Sequence, residues 1–445
     1  MTTTYLKLRT INLCVLALSL LSPASYAGSF SINENSANDM GRANAGRVSL
    51  PGDASIAFGN PALMTQFNTL TVTNVLSHIS GKSEFTNTGS TDLTGTALNG
   101  DAEGFFDSAF VPAFHAVYPM NNRLAFGVSV NAPYGLSSTY DVNWPGRYQA
   151  LESSLLTFNL NPSIAYKMND SLSIGGGVSI QYATTELSSA IDFGAVCFAS
   201  LDPQSCSALG LTPQSSDGEL ALEGDDISFG YNLALALTPN DDFTFGATFR
   251  SGVSHTLSGE AEIDVPARAQ PLTAQGAFVD TDFQADLPLP GIFEVGFSWK
   301  ATPKFVLSAS INQTQWSKLD SLDVEFENPA QPETGEVLNY KNAKRYNFGV
   351  DYSISDTLTL RGGFGFDESP SRPNFRSARI PDNDRNIYAI GASYSGLKHW
   401  QFDLAYNKFD VNDTAFERRG PVNDTLRGDI ELSIDILSAG VTRRF

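Results

Sequence analysis

Phe293-Glu294-Val295-Gly296-Phe297-Ser298-Trp299-Lys300 sets four large apolar side chains on alternate positions, with a carboxylate, a glycine, a hydroxyl and an amine between them. Successive side chains of an extended chain point to opposite faces, so this stretch is a strand with one apolar and one polar face. Trp400-Gln401-Phe402-Asp403-Leu404-Ala405-Tyr406-Asn407 repeats the pattern, as do Leu124 to Asn131 and Tyr346 to Ser353. A soluble β-sandwich also alternates, but it has no reason to put Phe, Tyr and Trp on the outer face of so many successive strands. A barrel wall that turns one face to lipid and the other to a polar lumen does.

Outward from these stretches, the alternation marks fourteen segments, near 69–79, 108–118, 122–133, 152–167, 171–186, 226–238, 242–254, 289–300, 304–314, 342–354, 357–367, 386–395, 398–409 and 432–445. Their connections alternate strictly between tight ones, such as Pro239-Asn240-Asp241 and Ser355-Asp356, and long ones. Outer-membrane barrels place short turns in the periplasm and long loops outside, which puts both termini on the periplasmic side. Composition agrees with a barrel. The 445 residues include 30 Phe and 15 Tyr but are only 17% charged, and mean hydropathy is −0.13. The aromatic content excludes a disordered chain, and the lack of any apolar run of helix-spanning length after position 30 excludes a helical membrane protein. A net charge of −20, from 28 basic and 48 acidic residues, has the wrong sign for a nucleic-acid partner.

Residues 1–27 read as a secretory signal and are set apart from the fold: Lys7 and Arg9 precede the apolar run Ile11 to Leu21, and a small-residue cleavage site ends at Ala27. Export permits disulfides, so a bridge between Cys197 and Cys206 in the third long loop is expected, with two free thiols as the alternative. Phe445 is the terminal aromatic expected of a chain handed to the outer-membrane assembly machinery, although Arg443 stands where an apolar residue is usual. The change of outward parity between Ile436 and Leu437 predicts a bulge there.

Residues 28–68 do not alternate. Asn60 followed by Pro61 and Ala62 predicts a short helical turn with Asn60 as its cap and Pro61 at its first position. Few charges and many small residues suit a segment packed inside a lumen. The run from Phe30 through Gly41-Arg42-Ala43, Ala45-Gly46 and Asp53-Ala54 to Asn60-Pro61-Ala62 resembles the N-terminal hatch of the FadL-type long-chain fatty-acid transporters. The resemblance continues through Val111-Pro112 to Tyr118, Asn131 to Leu136, Thr314-Gln315-Trp316-Ser317, Phe366 to Pro370 and Ile380 to Arg385, and so spans the chain.

What this resemblance implies is an all-β protein: a 14-stranded antiparallel transmembrane β-barrel over 69–445, plugged by a hatch at 28–68, monomeric and in the outer membrane of a Gram-negative bacterium. It implies passive uptake of long-chain fatty acids or similar hydrophobic molecules. The hatch is expected to hold the route closed, with Phe30 in the apolar pocket as a competing side chain. Lys341 matches a basic residue that in the family faces the ligand carboxylate, whereas Thr184 stands where the family has an arginine. A single cation holds a carboxylate less well than an arginine pair of bonds, so neutral aliphatic or aromatic hydrocarbons are the alternative cargo.

Asn131-Ala132-Pro133-Tyr134-Gly135 interrupts the alternation of the third strand, and proline cannot donate to a ladder. A gap opposite Ala109 is expected, and the resemblance favours reading it as a lateral opening into membrane lipid rather than as a plain strand end. No enzyme, cofactor or metal is expected. His78, His115, His255 and His399 lack ligand spacing, and Gly175-Gly176-Gly177 and Gly362-Gly363 lie within strands, where they give small or close-packed positions rather than phosphate loops. An open porin and an outer-membrane hydrolase are the remaining readings; the hatch speaks against the porin.

Overall fold

A computed structural model describes residues 29–445; the segment 1–27, expected to be a secretory signal, lies outside the described residues. Every segment marked by alternation is a strand of one closed antiparallel barrel. They are β1 (Thr71–Asn87), β2 (Ala109–Pro119), β3 (Leu124–Asn131 and Gly135–Thr139), β4 (Glu152–Lys167), β5 (Leu172–Asp192), β6 (Asp217–Asn240) and β7 (Phe243–Arg250 and Val253–Asp264). The second half comprises β8 (Thr281–Leu289 and Ile292–Lys300), β9 (Phe305–Thr314 and Ser321–Phe326), β10 (Ala343–Ser353), β11 (Leu358–Asp367), β12 (Arg385–Tyr394), β13 (Trp400–Val411) and β14 (Thr425–Arg444). Neighbours in sequence pair, and β14 closes on β1 from Thr71 opposite Arg444 to Asn87 opposite Gly428.

The apolar face of the alternation faces out. Phe293 is 48% exposed while its neighbour Glu294 is 2% exposed, and Leu404 at 54% sits beside Asp403 at 5%. Near the tight turns the outward rings stack in pairs, Phe243 on Trp299 at 5.7 Å between centroids and Phe305 on Tyr352 at 4.7 Å. Such aromatic girdles mark a membrane interface. Arg443 takes its place among them by lying over the rings of Trp400 and Phe445, 5.0 and 4.4 Å from their centroids, which shields a cation at a lipid-facing position.

Several strands run well past their alternating parts on the long-loop side. β6 begins at Asp217 rather than near 226, and β7 continues to Asp264. Above the bilayer both faces of a strand meet water or loops, so Glu219, Glu223, Glu260 and Glu262 are tolerated there and the lipid pattern stops. The bulge expected between Ile436 and Leu437 does not form: β14 keeps unbroken register with both β1 and β13 across that point. Ile434 and Ile436 point inward because the lumen at their level is itself apolar, lined also by Ile79, Leu257 and Phe409.

The lumen is filled by residues 29–67. Two short helices, α1 (Ala37–Met40) and α2 (Ile56–Gly59), precede a 3-10 turn at Pro61–Gln66. Ser36 caps α1, its hydroxyl accepting from Asp39 N at 3.2 Å. Asn60 caps the 3-10 turn through a bond from Ala62 N at 3.1 Å, and Pro61 is its first residue. α1 rests on β12, β13 and β14, the 3-10 turn on β4, β5 and β6, so the segment spans the bore. Wall glycines make room for it. A Cβ on Gly175 would lie 2.6 Å from Ala62 N, and one on Gly363 would meet the backbone of Arg42.

Candidate functional site

The hatch is held by polar side chains that would be intolerable in a lumen without partners. Arg42, 1% exposed, donates to Asp39 Oδ1 at 2.6 Å within α1, to Asn38 Oδ1 at 2.9 Å and to Asp351 Oδ2 of β10 at 2.7 Å. Asn38 in turn donates to Asp403 of β13 at 2.9 Å. Arg47 pairs with Glu294 of β8, its Nε at 3.1 Å from Oε2. Asn60 donates to Val48 O at 2.7 Å and Leu235 O at 3.1 Å, so the capping residue also ties the turn to β6. Ala62 beside it is fully buried against the wall.

β3 is broken. It pairs with β2 only from Pro119 opposite Ala125 to Phe114 opposite Val130, after which Ala109 to Ala113 have no partner in β3. Contact resumes at the isolated bridge between Phe106 and Ser138. Pro133 supplies no donor and Tyr134 turns inward, where its hydroxyl donates to Pro290 O at 2.7 Å. The N-terminal end of the hatch occupies the gap from inside. Ile32 N donates to Pro133 O at 2.9 Å, Gly135 N donates to Phe30 O at 2.9 Å, and Ser31 bridges Tyr134 in antiparallel fashion. Ala109 and Ala132 are 2% and 6% exposed beside this patch, and a Cβ on Gly135 would lie 2.7 Å from Ile32 Cδ1.

Phe30 sits in a nest of rings, edge-on to Trp316 at 4.8 Å and to Tyr134 at 6.1 Å, with Tyr340 edge-on to Trp316 beyond it at 5.9 Å. It lines an inner cavity of about 50 Å³ whose other walls are mostly aliphatic, among them Leu155, Leu257, Leu287 and Ile380. That space is too small for an acyl chain, so the pocket is closed around the phenylalanine. Thr185 lines it; Thr184 faces the other side of β5. Lys341 is exposed and lines neither the inner cavity nor the vestibule described below, since Tyr340 takes the inward position at that place on the chain. Tyr340 and the inward leucines are not singled out by the sequence, and Trp316 is marked only as part of the stretch Thr314 to Ser317. Their signal is apolar residues at lumen parity in the outer halves of strands, visible at Leu155, Leu257 and Ile434.

Toward the long loops the cavity opens, past Leu187, Leu222, Leu322 and Val324, into a vestibule of about 480 Å³. The loops over it are ordered by their own cores. Phe105, Tyr140 and Trp144 stack at 4.5 and 3.9 Å. In the third long loop Cys197 and Cys206 are joined by a disulfide that ties the helix Phe193–Ser200 to the helix Pro203–Ala208 over a small core of Phe193, Leu211 and Ala269. Two of the histidines are spent on structure: His115 bonds Ser129 Oγ and Asn35 O, and His255 bonds Asp226 and Gln181.

Comparison with known proteins places this architecture. The chain is 29% identical over 396 residues to a long-chain fatty acid transport protein of Escherichia coli, covering 85% of this chain and 86% of that one. It is 28% identical over 417 residues to outer membrane protein P1 of Haemophilus influenzae, covering 89% and 88%. Among solved structures, a Pseudomonas aeruginosa FadL homologue superposes with a TM-score of 0.84 at 24% identity, covering 94% of this chain and all of that one. A Pseudomonas putida toluene transporter, TodX, shares the fold at a TM-score of 0.70 and 16% identity, covering 93% and 99%. The model of the outer membrane protein transport protein family (OMPP1/FadL/TodX) matches residues 18–445, and this chain, a hatch-plugged β-barrel of the Gram-negative outer membrane, belongs to that family.

Proposed function

We propose that the protein takes up long-chain fatty acids or similar hydrophobic molecules passively, binding them in the apolar inner cavity and releasing them into the outer membrane through the wall between β2 and β3. The observation that carries this reading is the double placement of one hatch segment. Phe30 fills the cavity, while the backbone of Phe30 to Ile32 seals the unpaired wall beside it. A ligand that takes the place of the ring loosens the seal. Release sideways is then downhill, because each methylene kept out of water is worth about 0.8 kcal/mol. Release through the hatch into periplasmic water is not. The relatives named for fatty-acid transport support the cargo class. Neutral hydrocarbons remain the second reading, favoured by the aliphatic lining and by the position of Lys341 outside the cavity. Tight turns at one end and long loops at the other support periplasmic termini. No residue is assigned a catalytic role.

The test is uptake against binding. Ala109→Trp, Ala132→Trp and Gly135→Leu should each block uptake of a radiolabelled long-chain fatty acid by cells expressing the variant, while the purified proteins still bind it. Undiminished uptake by all three, at normal surface abundance, refutes the lateral route.

A further inference from the structure

The inner cavity and the outer vestibule share a neck. Of the residues lining the inner cavity only Arg379 and Glu336 carry charge, and both also line the vestibule, whereas Phe30 lines the inner cavity alone. An aliphatic tube with a cation at its outer mouth has the polarity of an amphiphile, tail inward and head outward. Arg379, in the loop between β11 and β12, is fixed by bonds from Nη1 to Glu152 O at 2.8 Å and Ser153 Oγ at 3.0 Å at the start of β4. Glu336 is held 3.2 Å from Arg418 Nη2, and Arg418 is anchored by its Nη1 to Phe375 O and Arg376 O. The vestibule therefore carries Arg379, Arg418 and Arg419 against Glu336 and Glu417, a local positive excess on a chain whose net charge is −20.

We propose that Arg379 is the specificity-determining residue of the uptake route, receiving the carboxylate of a long-chain monocarboxylic acid at the neck while the acyl chain enters the inner cavity. The inference rests on the uptake reading above and narrows its cargo to acids. Arg418, already engaged by Glu336, supplies the second positive field on that side. Lys341, exposed and off the cavity, takes no part. Planar guanidinium suits a carboxylate better than an ammonium, since it offers paired donors in one plane.

The experiment uses the full-length protein in detergent micelles at pH 8, with hexadecanoic acid and hexadecanol competing against a fluorescent acyl probe. Wild type should prefer the acid by about tenfold or more, the worth of a charge-assisted hydrogen bond. Arg379→Met should erase that preference and leave hexadecanol binding intact, which also reports that the variant is folded. Arg379→Lys should keep part of it, and Lys341→Ala all of it. Should Arg379→Met retain the preference, or should wild type bind acid and alcohol alike, the anchor is wrong and the uptake reading stands. Binding of neither compound by wild type overturns the uptake reading and this inference with it.

Discussion

Replacing Phe30 by alanine distinguishes a plug from a wall. If the ring is part of a binding surface, its loss weakens ligand binding; if it is an internal competitor, its loss strengthens it. The ring is 2% exposed, and burying a phenylalanine is worth about 1.5–3 kcal/mol. Its edge-on contacts with Trp316 and Tyr134 add about 0.5–1.5 kcal/mol each. A ligand entering the cavity forfeits roughly 2.5–6 kcal/mol to displace it, and at 1.4 kcal/mol per decade the upper limit of the gain is about ten-thousandfold. The limit is not reached, because Ser29 still holds Asp382 and Tyr340 through bonds of 3.2 Å, and the vacated space relaxes. Titration of purified Phe30→Ala with a fluorescent long-chain fatty acid should show binding tighter than wild type by about tenfold to a hundredfold. Phe30→Leu should fall between. Binding equal to or weaker than wild type, in a variant that still runs as a heat-modifiable barrel, refutes the competitor argument.

Other outcomes follow from the same contacts. Arg42→Ala leaves Asp39 without its partner inside the lumen, a loss of about 3–5 kcal/mol for a broken buried pair; planar-bilayer recordings should show frequent open events, and silent traces would contradict the account of the hatch ties. Asn60→Ala removes a cap worth about 1 kcal/mol together with the bonds to Val48 and Leu235, and should speed hydrogen exchange in residues 60–66 while the strands stay protected. Cys197→Ser with Cys206→Ser should cost the third loop about 2–3 kcal/mol, seen as proteolysis within 193–216 of an otherwise intact barrel. Burial lifts the Glu34 carboxyl from 4.5 to about 7, against the Asn33 amide, Arg345 and Arg47, which pull it down. A carboxyl raised on folding favours the docked hatch fully below about 4.5 and loses that contribution as pH rises through 7, so hatch amides should exchange faster at pH 8 than at pH 5 beyond the intrinsic rate, and Glu34→Gln should remove the difference.

The barrel was readable in the sequence because lipid imposes a period on every strand that touches it, as at Phe293 to Lys300. The extensions of β6 and β7 were not, since above the bilayer nothing enforces the period. The hatch turn at Asn60 and Pro61 was readable from local chemistry, capping being a matter of adjacent residues. The apolar lumen patch misled the reading of β14: Ile434 and Ile436 looked lipid-facing until the cavity gave them a second apolar neighbour. Arg379 could not be found by spacing, because it lies in a long loop and acquires meaning only where β4, β9 and its own loop converge. Lys341 shows the reverse case, a residue singled out by resemblance whose place on the chain turns it away from the cavity.

On the proposed lateral route, residues 30–32 serve the cavity and the wall at once, so occupancy and opening are thermodynamically linked: whatever loosens the segment from Pro133 and Gly135 must raise ligand affinity by the same factor that ligand raises the open fraction. The linkage also sets the return stroke. Withdrawal of the segment leaves the Pro133 carbonyl and the Gly135 amide unpaired in a barrel wall, and each such group costs several kcal/mol in hydrocarbon. An empty open state is therefore short-lived, and the wall reseals as the cargo leaves, so the membrane is never presented with a standing hole.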